Sequence, residues 1–261
     1  MKVIILALAS TEGSYGDDLT IHEKTLGSLV NPKVNIFWAL GGASEVLTQE
    51  NRIYLPIDEK FTNILKKTIM SLNYLDEVYH PDIVIRTNTS SYFDLDKVIK
   101  VCEKLQEKKF DFAGYLETYK ENTVFELPTR FVNGAGIYLS KNAIKILKNV
   151  DSERYNNIPD DVAITSELES SGMKPTPLKR NNICYHHVFI PRAHIRVKSW
   201  KSKKLAQERM LLVHQFTIAE TKLKKVRILI EIYMLEYRNI NFSIGKIRGY
   251  FFNLINRRFK A

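Results

Sequence analysis

The front of the chain alternates between short apolar runs and longer segments in which apolar residues recur every three or four positions. Short runs rich in Val, Ile and Leu are typical of buried strands, and the three-to-four spacing is typical of helices with one buried face. The predicted strands are Val3–Ala9, Val34–Leu40, Arg52–Leu55, Ile83–Ile85 and Phe110–Tyr115, and the predicted helices are Phe61–Val78, Asp94–Glu107, a helix capped by Ser140 that runs through Leu147, and Asp160–Ser171.

Strands separated by helices in this order predict an α/β domain, with a largely parallel, Rossmann-like sheet and helices on both faces. In such sheets ligands bind at the carboxyl ends of the strands, where the strand order reverses. The sequence therefore predicts a functional site among the loops that follow Ala9, Leu40, Ile85 and Tyr115.

The first apolar run has two interpretations. Lys2 followed by the apolar run from Val3 to Ala9 is similar to a secretion signal. The run is at the short limit for such a signal, so we interpret it as a buried first strand. No stretch approaches the roughly 18 to 20 apolar residues of a membrane span. The two cysteines, Cys102 and Cys184, have the spacing of neither a metal site nor a disulfide framework, which suits a reducing compartment. We therefore expect a cytoplasmic protein.

Charge divides the chain into two parts. The net charge is +10, yet the stretch from Arg192 to the end holds 17 Lys and Arg against 4 Asp and Glu, so the rest of the chain is slightly acidic. The sequence predicts a near-neutral globular domain, residues 1–195, followed by a basic helical tail, residues 196–261.

The end of this tail carries an apolar stripe flanked by cations. A helix of this kind suits a membrane interface, where anionic lipid attracts basic residues at about 1 kcal/mol each. We expect residues 198–261 to contact the inner face of the cell membrane; packing of the stripe on the main domain and binding to nucleic acid are the alternatives. The continuous stripe argues against nucleic acid. Its residues are Ile244, Ile247, Phe251, Leu254, Ile255 and Phe259, and the cations are Lys246, Arg248, Arg257, Arg258 and Lys260.

Several segments, taken in order, resemble one family, the fringe and β-1,3-galactosyltransferase group of GT-A glycosyltransferases. The run FTNILKKT, with Asn63, Lys67 and Thr68, resembles the family's Asn-Leu-Thr-Leu-Lys-Thr helix, and Arg86-Thr87 falls on its Lys-Thr strand end. VNGAGIYLS resembles its glycine-rich element, IPDDVAITSELESSGMKP its Pro-Asp-Asp helix start, and FWALGG its second strand. The resemblance covers residues 1 to 190.

This resemblance implies a GT-A fold: a mixed α/β sheet flanked by helices. It also implies transfer of a sugar from a nucleotide diphosphate-sugar, a UDP-sugar, to a hydroxyl of a glycan acceptor, with inversion at the anomeric carbon. A cytoplasmic transferase with a membrane-seeking tail suggests an acceptor on a lipid carrier, as in the assembly of a bacterial surface polysaccharide.

Asp161 falls on the family's catalytic aspartate, the base that accepts the proton of the acceptor hydroxyl. A carboxylate that follows a proline at a helix start is also a good cap, so the residue alone leaves both roles open, and the resemblance favours the base. The same matching implies that Lys67, Arg86, Thr87, Asn88 and Ser90 contact the donor; Ser10 and Thr11, at the end of the first strand, suit contacts with its nucleotide. It implies that the acceptor contacts Gly134, Ala135 and Gly136, and that Asp160 is the helix cap or an acceptor contact.

The family's three metal-binding acids correspond to Asn88, Thr89 and Ser90. Amide and hydroxyl groups lack the charge that Mn²⁺ and Mg²⁺ require of their ligands, so we expect no metal cofactor. Asp94-Leu95-Asp96 matches the Asp-x-Asp pattern of a metal-binding motif, but it lies six residues further along the chain than the family's acids. Asp94 is explained as the cap of the next helix. Cations would replace the ion, and the candidates are Lys67, Arg86, Lys179, Arg180 and the Arg192–Lys204 cluster.

His186 and His187 lie near the position where metal-dependent relatives carry a histidine. Without the acids, a phosphate contact by His186 or plain packing is the expected role. Because the family's metal-binding acids are missing, a second function stays open: a non-catalytic protein that binds sugar or nucleotide. The intact Asp161 and the Gly-Ala-Gly loop favour the enzyme.

Overall fold

The structure is a computed structural model of the 261-residue chain, and it describes residues 1–118, 130–156, 158–182, 192–197 and 203–238. The strands are Val3–Leu8 (β1), Val34–Leu40 (β2), Leu47–Gln49 (β3), Arg52–Tyr54 (β4), Ile83–Asn88 (β5), Ser91–Phe93 (β6), Phe112–Thr118 (β7), Arg130–Ser140 (β8), Pro175–Pro177 (β9), Asn181–Asn182 (β10) and His194–Arg196 (β11). The α-helices are Ser14–Thr25 (α1), Ile64–Tyr79 (α2), Leu95–Glu107 (α3), Lys141–Leu147 (α4), Asp160–Ser170 (α5), Lys203–Ile218 (α6) and Lys222–Arg238 (α7).

Eight strands form one mixed sheet in the order β3-β4-β2-β1-β5-β8-β7-β9. β1 lies between β2 and β5 and is parallel to both, whereas β8 is antiparallel to its neighbours β5 and β7. The carboxyl ends of β1, β2, β5 and β7 therefore meet the amino end of β8 at one edge of the sheet. We call this edge, with residues 9–11, 40–41 and 88–90, the carboxyl edge.

The apolar run of β1 explains why helices cover both faces of the sheet. Val3 and Ile5 are buried in one apolar cluster, and Ile4 and Leu6 in another. Since successive side chains of a strand point to opposite faces, an uninterrupted apolar run must be covered on both. The first cluster receives side chains from α1, α3, α6 and α7, and the second from α2, α4 and α5.

Two of the predicted helix starts are confirmed in detail. The Asp94 side chain accepts a hydrogen bond from the backbone N–H of Lys97 at 3.2 Å, which caps α3. Ser140 Oγ accepts from the backbone N–H of Ala143 at 3.2 Å, which caps α4. Both are the side-chain caps that satisfy the open N–H groups of a first helical turn.

Several features differ from the sequence-based prediction, among them the strands β3, β6 and β9 to β11, which were not predicted. β5 continues through Asn88, beyond the predicted end at Ile85, because its polar side chains find buried partners. The Gly-Ala-Gly segment 134–136 is not a loop, since it lies within the long strand β8. The helix α1 has little apolar periodicity, and its buried face is completed by His22, which no pattern reveals.

A second, smaller sheet has the order β10-β11-β6. β11 runs antiparallel to β6, so that His194 lies opposite Phe93 and Arg196 opposite Ser91. The backbone N–H of Val197 donates to the carbonyl of Ser90 at 2.7 Å. The small sheet is thus attached directly beside the end of β5.

The basic tail packs on the first apolar cluster as far as it is described. Met210 and Val213 of α6 and Ile232 of α7 are buried there. Packing on the main domain is therefore observed for both helices. The predicted apolar stripe, residues 244–259, lies outside the described residues, and its membrane contact stays a prediction. Within the described ranges, no helix is both long enough and apolar enough to cross a bilayer.

Candidate active site

Asp161 lies at the carboxyl edge, in the first turn of α5. The backbone N–H of Gly134 donates to its Oδ2 at 2.8 Å, and the N–H of Val162 donates to its Oδ1 at 3.0 Å. The positive end of the helix dipole also favours a negative charge at this position. The side chain is only half-buried. Asp161 is therefore a fixed carboxylate that solvent and a ligand can reach.

Asp160 is held differently from its neighbour. Its carboxylate forms an ion pair with Arg86, whose guanidinium also donates to the carbonyl of Gly134. Burial raises the pKa of the Asp160 carboxyl to about 6, with the Arg86 cation opposing this shift and the charge of Asp161 adding to it. Arg86 is buried, so the structure ties this predicted donor contact into a link between β5, β8 and α5.

The two glycines of the Gly-Ala-Gly segment allow close approaches. A Cβ at Gly134 would lie 2.6 Å from Arg86 Nη1 and 3.2 Å from the Asp161 side chain. A Cβ at Gly136 would lie 2.5 Å from the ring of His194. Glycine in a strand often marks a place where another group approaches the backbone. Here those groups are the candidate catalytic residues and the small sheet.

The same segment forms a large irregularity in β8. Val132 pairs with Leu116, and Ile137 pairs with Gly114. An advance of five residues along β8 therefore lies opposite an advance of only two residues along β7. Such bulges are frequent beside active sites because they change the direction of side chains and free backbone groups. Segment 134–136 thus leaves the regular ladder at the point where Asp161 binds it.

The carbonyl of Ala135, at the centre of this bulge, accepts two hydroxyl hydrogen bonds. Thr87 Oγ1 donates to it at 2.5 Å and Ser91 Oγ at 2.7 Å. Thr87 and Ser91 are both fully buried. The structure therefore uses the hydroxyl of Thr87, a predicted donor contact, to hold β5 against β8.

Amide and hydroxyl groups occupy the other predicted donor positions at the carboxyl edge. Ser90 donates to Asn88 Oδ1 through its hydroxyl at 2.6 Å and through its backbone N–H at 3.2 Å, which forms a local turn. Ser10 Oγ accepts from the N–H of Glu12 at 3.0 Å, and Thr11 is exposed. These side chains lie at the strand ends, as predicted, and they are neutral.

A buried ion pair ties the ends of β1 and β2 together. The Lys67 ammonium donates to the carbonyl of Ala9 at 2.9 Å and to Glu59 Oε2 at 2.5 Å. The other oxygen of Glu59 accepts from the N–H of Gly41 at 2.5 Å. Burial lowers the pKa of Lys67, and the Glu59 carboxylate opposes this shift. No sequence pattern marks Glu59, because it is a lone acid in a loop.

Arg180 is buried beside the carboxyl edge, and Lys179 is exposed. Arg180 Nη1 donates to Asn133 Oδ1 at 2.6 Å, and Nη2 lies 3.4 Å from a carboxylate oxygen of Glu117. The guanidinium carbon lies 4.3 Å from the centre of the Tyr115 ring. Arg180 is therefore a rigidly held cation, whereas Lys179 is a solvated one.

Arg196 stands next to the turn formed by residues 88–90. Its Nη1 donates to Asn133 Oδ1 at 3.3 Å, and its strand register places it opposite Ser91. Its Nε–H is buried and has no hydrogen-bond partner among the described residues. A cation thus lies beside residues 88–90, which correspond to the metal-binding acids of the family that the sequence resembles.

Among the described histidines, His194 is the nearest in sequence to Arg196. Its ring stacks on Phe93 with a centroid distance of 4.6 Å, and its Nε2 lies 3.3 Å from Ser91 Oγ. Burial, followed by the charges of Arg180 and Arg196, lowers the pKa of His194 well below its ordinary value. His186 and His187 lie outside the described residues, so the predicted phosphate contact of His186 is untested.

The Asp-x-Asp of residues 94–96 lies away from the carboxyl edge. Asp94 is occupied by its cap and by an ion pair with Lys97 at 2.6 Å. Asp96 accepts from Asn31 Nδ2 at 3.2 Å, in the turn before β2 and so near the opposite end of that strand. In the described parts of the chain, no three His, Cys, Asp or Glu side chains cluster as metal ligands do.

No protein-family model matches the chain, and no curated protein matches its sequence. Solved structures do match. The crystal structure of a glycosyltransferase involved in the glycosylation of the major capsid of PBCV-1 has a TM-score of 0.56 at 9% identity, over 82% of this chain and 100% of that chain. The fold is shared with a glycosyltransferase. S. aureus TarS 1–349 has a TM-score of 0.47 at 10% identity, over 94% of this chain and 77% of that chain.

The predicted fold class, a mixed α/β sheet flanked by helices, is therefore confirmed. Membership of the fringe and β-1,3-galactosyltransferase group stays a prediction.

Proposed function

We propose that this protein is an inverting glycosyltransferase that moves a sugar from a nucleotide diphosphate-sugar, a UDP-sugar, to a hydroxyl of a glycan acceptor. One observation carries the proposal. The half-buried carboxylate of Asp161 is fixed by the N–H of Gly134 at the edge of the sheet where β1, β2 and β5 end. Ligands of α/β sheets bind at this edge. The shared fold supports the same conclusion.

Asp161 acts as the general base in this proposal. It accepts the proton of the acceptor hydroxyl while the hydroxyl oxygen attacks the anomeric carbon, and the bond to the nucleotide diphosphate breaks on the opposite side. Asp160 does not compete for this role, because its carboxylate is paired with Arg86. It holds the first turn of α5 in place and contacts the acceptor.

The donor lies along the carboxyl edge, with its nucleotide near Ser10 and Thr11 and its diphosphate near the turn 88–90. The Lys67–Glu59 pair positions the two strand ends that form this surface. Lys67 and Arg86 both hold a carboxylate already, so each offers little net charge to a diphosphate.

The charge of the leaving diphosphate is offset by Arg196. Asn88, Thr89 and Ser90 do not fit a divalent ion, since none supplies a carboxylate. Arg196 lies beside this turn, its side chain is half-buried, and its buried Nε–H has no hydrogen-bond partner within the described part of the chain. A fixed cation at developing negative charge is a strong source of rate acceleration. No step of the reaction is assigned to a metal.

The acceptor and the location complete the proposal. The basic residues of the tail attract an anionic membrane, which suits an acceptor on a lipid carrier at the inner face of the cell membrane. Such an enzyme serves the assembly of a surface polysaccharide. Nucleic acid is not a partner in this proposal.

The test is a panel of nucleotide-sugars incubated with the full chain, with release of the nucleotide diphosphate as the readout, in the presence and absence of EDTA. We expect slow hydrolysis of one donor and equal rates with and without EDTA. Complete loss of turnover in EDTA would contradict the metal-free site. If a nucleotide stabilises the protein against heat but no donor releases its nucleotide diphosphate, the result favours the non-catalytic binder. This is the alternative function that the missing acids suggest.

A further inference from the structure

A pocket of about 350 Å³ lies between α3, the β7–β8 pair and the start of β11. None of the residues 9–11, 40–41 or 88–90 lines it, although Arg180 in its wall shares the acceptor Asn133 Oδ1 with Arg196. Lys179 and Arg180, which the sequence suggests as cations for the donor, lie in this pocket. Its volume falls within the usual range for small-molecule sites, roughly 300 to 1,000 Å³. The pocket is large enough for a sugar that carries a charged group.

The described lining of the pocket is strongly cationic. It contains no acid, and its five cations are Lys97, Lys100, Lys179, Arg180 and Arg192. Lys97 is paired with Asp94, and Arg180 with Glu117. Among the described residues, no carboxylate pairs with the other three cations. A concave surface lined by one sign of charge concentrates ligands of the opposite sign.

Part of this lining is rigid. Arg180 is 7% exposed, and Asn133 and the Tyr115 ring fix its guanidinium. Tyr115, Tyr138 and His194 add rings to the wall. Pockets that bind small molecules combine such rings with a few fixed polar groups. The second guanidinium of the lining, that of the half-buried Arg192, presents paired N–H donors that match the oxygens of a phosphate.

The pocket lies close to the proposed base. Gly136 lines it, and Gly134 donates to Asp161. Two residues of chain span at most about 7 Å, so Gly136 in the pocket wall lies within about 7 Å of the glycine that holds the base. The pocket lies on the α3 side of the sheet, and α5 packs on the other side. An acceptor that passes segment 134–136 can place a charged group in the pocket and its hydroxyl at Asp161.

We propose that this pocket binds a phosphate group carried by the acceptor, so that the substrate class is a phosphorylated glycan or a glycan on a phosphate-bearing carrier. The inference rests on the proposed function for its account of what the acceptor does. The binding of phosphate itself rests on the pocket alone.

The experiment compares the wild-type chain with the double variant Lys100→Gln/Lys179→Gln and the control Lys104→Gln. Lys104 is exposed, lies one turn beyond Lys100 on the same helix, and does not line the pocket. Calorimetry with a hexose 1-phosphate and with inorganic phosphate measures binding directly. We expect the double variant to weaken hexose 1-phosphate binding about tenfold or more, and the control to bind as the wild type does.

Turnover separates the acceptor from the donor. With a phosphorylated acceptor, the double variant should raise the acceptor KM and leave the donor KM unchanged. A raised donor KM, or binding equal to that of the control, would overturn the proposal. Binding of both chains to vesicles of phosphatidylglycerol in phosphatidylcholine is measured as well. If the double variant loses binding to these vesicles but binds hexose 1-phosphate as the wild type does, the proposal is overturned, because the pocket then contacts a membrane. If the wild type releases nucleotide from no donor but binds hexose 1-phosphate in the pocket, the proposed function fails and the phosphate site stands.

Discussion

Arg86, in the middle of a buried strand, forms an ion pair with Asp160 at the first turn of a helix 74 residues later. The pair gives the adjacent carboxylates different environments. Asp160 is tied to a guanidinium, while Asp161 is bound by backbone N–H groups and stays reachable. Of the two, Asp161 is therefore the carboxylate that we assign as the base, because no cation pairs with it in the described part of the chain.

Replacing Asp161 with Asn should abolish sugar transfer and leave the fold intact. The amide oxygen can still accept from the N–H of Gly134, but an amide does not act as a base. We expect kcat to fall about 10²- to 10⁴-fold. Nucleotide release measures the rate, and thermal unfolding checks the fold. Asp96→Asn, at the first turn of α3, is the matched control and should keep full activity; wild-type turnover by Asp161→Asn would remove the assignment.

Replacing Arg196 with Gln should slow departure of the diphosphate. The variant removes the cation beside the turn 88–90, and loss of one fixed group that stabilises developing charge costs about 10²- to 10³-fold in kcat. Arg227→Gln, which removes an exposed cation from α7, is the control. An unchanged kcat in Arg196→Gln would show that another group offsets the charge.

Replacing Glu59 with Gln should weaken both the fold and donor binding. The change leaves the buried Lys67 ammonium without its counter-charge, which costs about 3 to 5 kcal/mol in the free energy of unfolding. Urea denaturation measures this loss, and the donor KM should rise because the ends of β1 and β2 are no longer tied. Asp58→Asn is the neighbouring control, since its ion pair with Lys60 is on the surface. Equal stability of the two variants would contradict the role of Glu59.

Stability should fall as the pH drops from neutral, because of His22. This buried ring accepts from Trp38 Nε1 at 2.9 Å and donates to the carbonyl of Ser91 at 2.8 Å. Burial lowers the pKa of His22 to about 4 in the folded protein, against 6.5 for the ordinary group. Between these values the unfolded chain binds the extra proton, so stability present above pH 6.5 is lost progressively down to pH 4, by about 3 kcal/mol.

Urea midpoints at pH 7.5 and pH 5 test this dependence. His22→Gln should show a smaller difference between the two midpoints than the wild type. His80→Asn, which changes an exposed histidine whose φ of 48° asparagine tolerates, should keep the wild-type difference. A wild-type difference in His22→Gln would contradict the assignment to His22.

The candidate site could be predicted from the sequence only in part. Asp161 and the strand ends that carry Ser10, Asn88 and Ser90 follow from local motifs and from the rule that ligands bind at carboxyl ends. Lys67 was predicted as a donor contact, yet its ammonium is bound to Glu59 and Ala9. A motif identifies a residue type, whereas the direction of a long side chain depends on which loops lie above it.

The sequence by itself determined the strands β1, β2, β4, β5 and β7 and the helices α2 to α5, in their order along the chain. The unbroken apolar run of β1, the periodic apolar face of α2 and the caps Asp94 and Ser140 are local signals, because they depend on neighbours within a turn or a strand. Only the tertiary structure decided the pairings between distant segments. Arg86 meets Asp160, Arg196 lies beside the turn 88–90, and the bulge in β8 places Gly134 under Asp161. These contacts depend on strand order and register, which no short stretch of sequence contains.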